Sequence, residues 1–141
     1  MFRILVAVDG SESSDRAVSH LLKKLRWYSG KVEVHLLNVQ AALPNDVSRF
    51  VNADQLEGFH REQGAVALAS AKAVLDGAKV AYVTHIGIGD PAHVIAHYAS
   101  EKAIDQIVMG TRGLGSVAGL VMGSVTMKVV SLTDVPVLLT K

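Results

Sequence analysis

The 141-residue chain contains no cysteine. That excludes a disulfide framework, a thiolate zinc site and a cysteine nucleophile. It has little excess charge of either sign, with 14 Lys and Arg against 13 Asp and Glu and a net charge of +1. Such a balance speaks against a nucleic-acid partner or a membrane surface. No apolar run approaches the roughly 20 residues that span a bilayer. The first residues, Met1-Phe2-Arg3-Ile4-Leu5-Val6, enter a strand pattern without a signal-peptide layout. The expectation is a soluble, cytoplasmic protein with no membrane insertion. Catalytic signatures are missing too. There is no Gly-x-Ser-x-Gly elbow, and Met122-Gly123-Ser124 lacks the lysine of a P-loop. His93 and His97 lie four apart, a metal-ligand spacing, but no third ligand is evident. His20, His35, His60 and His85 are scattered and read as surface residues.

What is present is a folded core. Half of the residues are hydrophobic and 19% are charged, which fits one domain over 1–141. Residues 4–8 form a continuous apolar run, as in a central parallel strand covered on both faces. Asp9-Gly10-Ser11 ends it, and the serine is placed to cap a helix carrying Val18, Leu21, Leu22 and Leu25. Residues 32–39 read as a second strand and 41–47 as a loop. A long helical segment over 48–76 follows, in which Gly58 and Gly64 mark a possible bend. Residues 79–86 give a third strand ended by Gly87-Ile88-Gly89. Asp90-Pro91 then starts a helix with a buried stripe of Ala92, Ile95, Ala96 and Ala99. A fourth strand at 106–109, a glycine loop, a helix at 124–133 and a fifth strand at 135–139 complete the alternation. This order predicts an α/β fold, a single doubly wound, Rossmann-like five-stranded parallel sheet with helices on both faces.

Five of the chain's 12 glycines fall within 110–124. Glycine allows close backbone approach to a ligand, and the N–H groups of a first helical turn favour an anion. A plainer reading leaves the glycines to turn geometry and Ser124 to capping. Gly113-x-Gly115-x-x-Ala118 matches a dinucleotide fingerprint but follows the wrong strand. Arg112 either pairs with a phosphate or points to solvent. Asp9 either positions a ligand or bonds its own turn. Lys128, one turn into the last helix, either reaches a phosphate or is a solvated surface lysine.

Gly110, two residues, Gly113, nine residues and Gly123-Ser124, between a strand and a helix, resemble the nucleotide-binding signature of the universal stress protein family. Val6-Ala7-Val8-Asp9-Gly10-Ser11, Ile107-Val108-Met109-Gly110-Thr111-Arg112-Gly113 and Val135-Pro136-Val137-Leu138-Leu139 extend the resemblance over nearly the whole chain. The resemblance implies strand order 3-2-1-4-5, which sets Asp9 opposite Gly110. It implies that Ala7, Asp9 and the Val39 backbone line an adenine and ribose pocket. Met109, Gly110 and Gly113 would contact the ribose and near phosphates, and Gly123, Ser124, Val125 and Thr126 the outer phosphates. The hydroxyls of Ser124 and Thr126 could donate further hydrogen bonds.

The implied function is an ATP-binding regulator or sensor in stress response, with magnesium accompanying the nucleotide and occupancy altering the loop from Thr111 to Met122. With no evident general base, hydrolysis would be slow. The alternatives are a slow ATPase or nucleotide-dependent enzyme, and a nucleotide-free dimeric interaction module. The resemblance and the apolar edge strand both imply a homodimer through 135–139.

Overall fold

Apolar runs at 2–7, 32–40, 82–88, 106–110 and 137–140 become strands β1 (Phe2–Ala7), β2 (Val32–Gln40), β3 (Tyr82–Ile88), β4 (Gln106–Gly110) and β5 (Val137–Thr140). The helices are α1 (Glu12–Lys24), α2 (Asn45–Ser48), α3 (Ala53–Gly77), α4 (Pro91–Glu101) and α5 (Ser124–Leu132), with a short 3-10 turn at Leu25–Trp27. The computed structural model describes residues 1–112 and 122–141. All strand pairings are parallel, and the order is β3-β2-β1-β4-β5. β1 is central: Val6 pairs with Leu36 on one side and Val108 on the other.

The alternating side chains of β1 feed two cores. Ile4, Val6 and Val8 pack with Val34 and Leu36 under α1 (Ala17, Val18, Leu21) and α3 (Leu68, Ala71, Leu75). Leu5 faces the other way, with Leu37, Ile107 and Met109, under α4 (Ala92, Ile95, Ala99) and Val129 of α5. This is why β1 reads as an unbroken apolar run: neither face meets water. Full burial of each such side chain contributes about 1.5–3 kcal/mol.

Several boundaries differ from the sequence expectation. The helix expected over 48–76 begins later, as α3 at Ala53, and a separate short α2 takes up the end of the expected 41–47 loop together with Ser48. Asn52 enforces the break: its side chain accepts from Gln55 N–H at 2.8 Å while the Gln55 side chain accepts from Asn52 N–H at 3.0 Å. α3 then runs unbroken through Gly58 and Gly64. Gly64 serves packing instead, because a Cβ there would collide with the Ile86 side chain of β3. β3 starts late, since Val80 N–H still bonds Leu75 O at 3.0 Å, and it continues through Gly87 because β2 pairs it as far as Gln40↔Ile88. β5 begins after Pro136, whose carbonyl accepts from Ile107 N–H at 2.9 Å but which has no N–H to give.

Candidate functional site

The end of β4 is a glycine because the start of α1 presses against it. A Cβ on Gly110 would collide with Ser13 Oγ and lie 2.7 Å from the Ser13 carbonyl oxygen. Arg112 N–H donates to the same Ser13 Oγ at 3.3 Å. Across the switch in strand order, Ser11 caps α1, accepting from Ser14 N–H at 3.2 Å. Asp9 Oδ1 accepts from Ser11 N–H at 2.9 Å. The turn role of Asp9 is thus present, and the same residue also lines the crevice described next.

α5 is pinned to β4. Thr126 Oγ1 donates to Gly110 O at 3.0 Å in a buried bond, and Gly123 N–H donates to Thr111 O. The Thr126 hydroxyl proton is therefore committed to the backbone. Gly123 is the N-cap, so Ser124 is the first residue inside the helix and not its cap. No side chain caps α5 among the described residues. The backbone N–H groups of Ser124, Val125 and Thr126 are first-turn donors at the positive end of the helix dipole.

Between these ends lies a crevice of about 220 Å³. Its apolar lining comes from Ala7, Leu37, Val39, Ile95, Met109 and Val125. The same crevice is lined by Asp9, Ser14, Gly110, Arg112, Gly123, Ser124 and Thr126. Ten of the sequence-selected residues meet here: Ala7, Asp9, Val39, Met109, Gly110, Arg112, Gly123, Ser124, Val125 and Thr126. The eleventh, Gly113, lies outside the described residues, as do Gly115, Ala118 and nearly all of the glycine loop. Val8, Ser14, Leu37, Pro91 and Ile95 also line the crevice and were not expected there from the sequence. The sequence shows Ile95 only as one of a buried stripe; only the strand order brings the start of α4 over the crevice.

At the rim, Asp90 joins α4 to α5. Its Oδ2 accepts from His93 N–H at 3.1 Å, faces His93 Nδ1 at 2.6 Å and accepts from Lys128 Nζ at 3.2 Å. The His93 side chain, then its backbone N–H, then Lys128 bring the Asp90 carboxyl down to about 2. Lys128 is accordingly an ion-pair partner and not a purely solvated lysine. His97 pairs with Glu101 at 3.4 Å. No group of three metal-ligating side chains occurs among the described residues.

Two histidines expected at the surface are buried. His60 is 3% exposed and sits edge-to-face with Phe59. His35 is 6% exposed, with Nε2 2.7 Å from Glu33 Oε1 and Nδ1 2.9 Å from the Tyr98 hydroxyl. Period-two alternation along β2 puts His35 on the α4 face, and these polar partners repay its burial. Tyr98 itself is pushed up to about 12, chiefly by burial.

Chemically, the crevice offers apolar side chains, the first-turn backbone donors of α5 and Arg112 in its lining. Among the described residues its only carboxylate is Asp9 and no histidine lines it. Donors at a helix start beside apolar side chains are chemically able to receive an anion carried on an apolar group.

Comparison with known proteins agrees with this architecture. A Bacillus subtilis (strain 168) protein, universal stress protein YxiE, is 29% identical over 147 residues, covering 99% of this chain and 98% of its own. The solved structure of MJ0577, a hypothetical protein used for structure-based assignment of biochemical function, superposes with a TM-score of 0.82 at 27% identity, over 99% of this chain and 95% of that one. A universal stress protein family member from Arabidopsis thaliana, solved with AMP bound, gives a TM-score of 0.71 at 23% identity, over 100% and 92% of the two chains. At that identity the likeness is one of fold. The model of the universal stress protein family matches residues 1–141. The chain belongs to the universal stress protein family.

Proposed function

We propose that the crevice binds an adenine nucleotide, ATP foremost, and that the chain works in the cytoplasm as a regulator in stress response, read through its occupancy. The observation that carries this reading is the mixed lining of the crevice. Apolar side chains suited to a purine line the same crevice as Arg112 and as the start of α5, where Ser124, Val125 and Thr126 present backbone donors. The base lies between Val39, Ile95 and Met109, the ribose beside Asp9, and the phosphates run toward α5. Magnesium arrives with the nucleotide. The AMP carried by the Arabidopsis relative supports the same class of ligand. With Asp9 engaged in its own turn, activation of water is weak and hydrolysis is slow.

Mass analysis of small molecules released from the denatured, purified protein tests the reading. The expected result is ATP or AMP at about one per chain, together with a rise in melting temperature on adding ATP and magnesium. Absence of both overturns it and leaves the interaction-module reading in its place. We also propose that the chain pairs as a homodimer through the open edge of β5, where Val137, Leu138 and Leu139 are half-buried in the single chain.

A further inference from the structure

The overall charge balance hides an uneven distribution. Lys23, Lys24, Arg26 and Lys31 fall within nine residues that contain no acid. α1 ends in the first two, the turn at Leu25–Trp27 carries the third, and Lys31 precedes β2. Lys79 stands before β3, at the same end of the parallel sheet. None of these five cations takes part in an ion pair among the described residues. Of the acids at this end, Asp134 before β5 is exposed, Glu101 at the end of α4 pairs with Lys102 at 3.3 Å, and three others are engaged by neighbouring groups. Glu33 faces Arg3 at 3.4 Å and His35, Asp105 accepts from Arg3 N–H at 2.7 Å, and Asp76 accepts from the Tyr82 hydroxyl at 2.8 Å.

In the middle of the basic stretch is Trp27, 67% exposed, an unusual position for the largest apolar side chain. Met1 is equally exposed. It is held at the same end, because Phe2 N–H donates to Lys31 O at 2.9 Å and the Phe2 ring stacks on Tyr28 at 5.1 Å. The crevice lies at the opposite, carboxyl ends of the strands.

We infer that this pole is a docking surface for anionic phospholipid headgroups, holding the chain peripherally on a membrane with the crevice turned away. Clustered lysines are drawn to an anionic bilayer as point charges, and a partly exposed tryptophan settles at the headgroup level. Nucleic acid fits less well. Four of the five cations are lysines, which lack the fork that reads phosphates and bases. One face of Trp27 is already covered, with Lys24 Nζ 3.5 Å from the ring centroid, so the indole is a poor platform for a stacking base.

Trp27 is the chain's single tryptophan, so its fluorescence reports on this pole alone. The purified chain is titrated with vesicles of phosphatidylcholine mixed with phosphatidylserine, and with vesicles of phosphatidylcholine alone. The inference expects a blue shift and co-sedimentation with the mixed vesicles only, both lost at high salt. Lys23→Glu combined with Arg26→Glu should weaken binding about tenfold or more while leaving the thermal melt unchanged. Lys31→Glu provides a second variant should that pair fail to fold. No shift with mixed vesicles at low salt, an equal shift with neutral ones, or well-folded charge reversals that bind undiminished would overturn it. So would a response to a single-stranded DNA oligonucleotide in place of vesicles.

Discussion

At the scale of single residues, two buried polar groups make the sharpest claims. The Thr126 hydroxyl fixes the start of α5 to the end of β4. Thr126→Val keeps the shape and removes the donor, leaving the buried Gly110 carbonyl short of a partner. The expected loss is about 1–3 kcal/mol of stability, with weaker nucleotide binding. Thr126→Ser should restore most of both, as read by denaturant unfolding and calorimetric titration; a Val variant as stable as the parent would show the bond to be idle. His85 concerns pH. It stacks on His35 of β2 at 6.0 Å and meets the Tyr98 ring of α4 at 4.8 Å, with Glu101 and Lys102 at the end of α4. Burial first, then His35 and Lys102, lower its pKa against the opposing pull of Glu101. A histidine lowered in the folded state resists a proton that the unfolded chain accepts near its ordinary value of 6.5. Its contribution is therefore intact above that value and is lost as pH falls below it. Melting temperature should drop between about pH 7.5 and about pH 5.5, and His85→Gln should flatten part of that slope. An identical slope in the variant would place the acid sensitivity elsewhere.

At the scale of elements, capping decides where α3 begins. Asn52→Ala removes one half of a reciprocal box and should cost about 1 kcal/mol, measured by thermal or urea unfolding. No change in stability would mean that tertiary contacts alone hold the first turn. The same element shows what a sequence can and cannot display. Ser11 and Asp90 were readable as caps because a short polar side chain before an apolar periodic run is a local signal. Asn52 is of the same type, but helical residues lie on both sides of it and hide the boundary. Gly64 was legible only as a weak helix former; its purpose is the approach of α3 to Ile86 of β3, a contact distant in sequence. His35 and His60 were misplaced for a similar reason. A histidine's burial depends on partners such as Tyr98, 63 positions away from His35. Ten crevice residues were recoverable through the family resemblance, whose motifs fall on three strand ends and one helix start. Ser14, Pro91 and Ile95 join them only through the packing of α1 and α4.

At the scale of the whole molecule, the parallel sheet separates the surfaces. The crevice occupies the carboxyl ends of the strands, the basic pole their amino ends, and β3 and β5 the two edges. The two edges are unlike. Among the described residues each edge strand pairs with one neighbouring strand, β3 with β2 over seven residues and β5 with β4 over four, and Val137, Leu138 and Leu139 are half-buried. An apolar edge with unpaired backbone groups recruits another strand unless it is blunted, and charge is the usual blunting device. Val137→Lys introduces that charge on the proposed dimer edge. The variant should elute as a monomer at concentrations where the parent chain is a dimer, with nucleotide binding per chain unchanged because Val137 does not line the crevice. A variant that stays dimeric on size-exclusion chromatography would move the interface away from β5. A parent chain that is itself monomeric would remove the homodimer altogether without bearing on the crevice, whose lining among the described residues comes from a single chain.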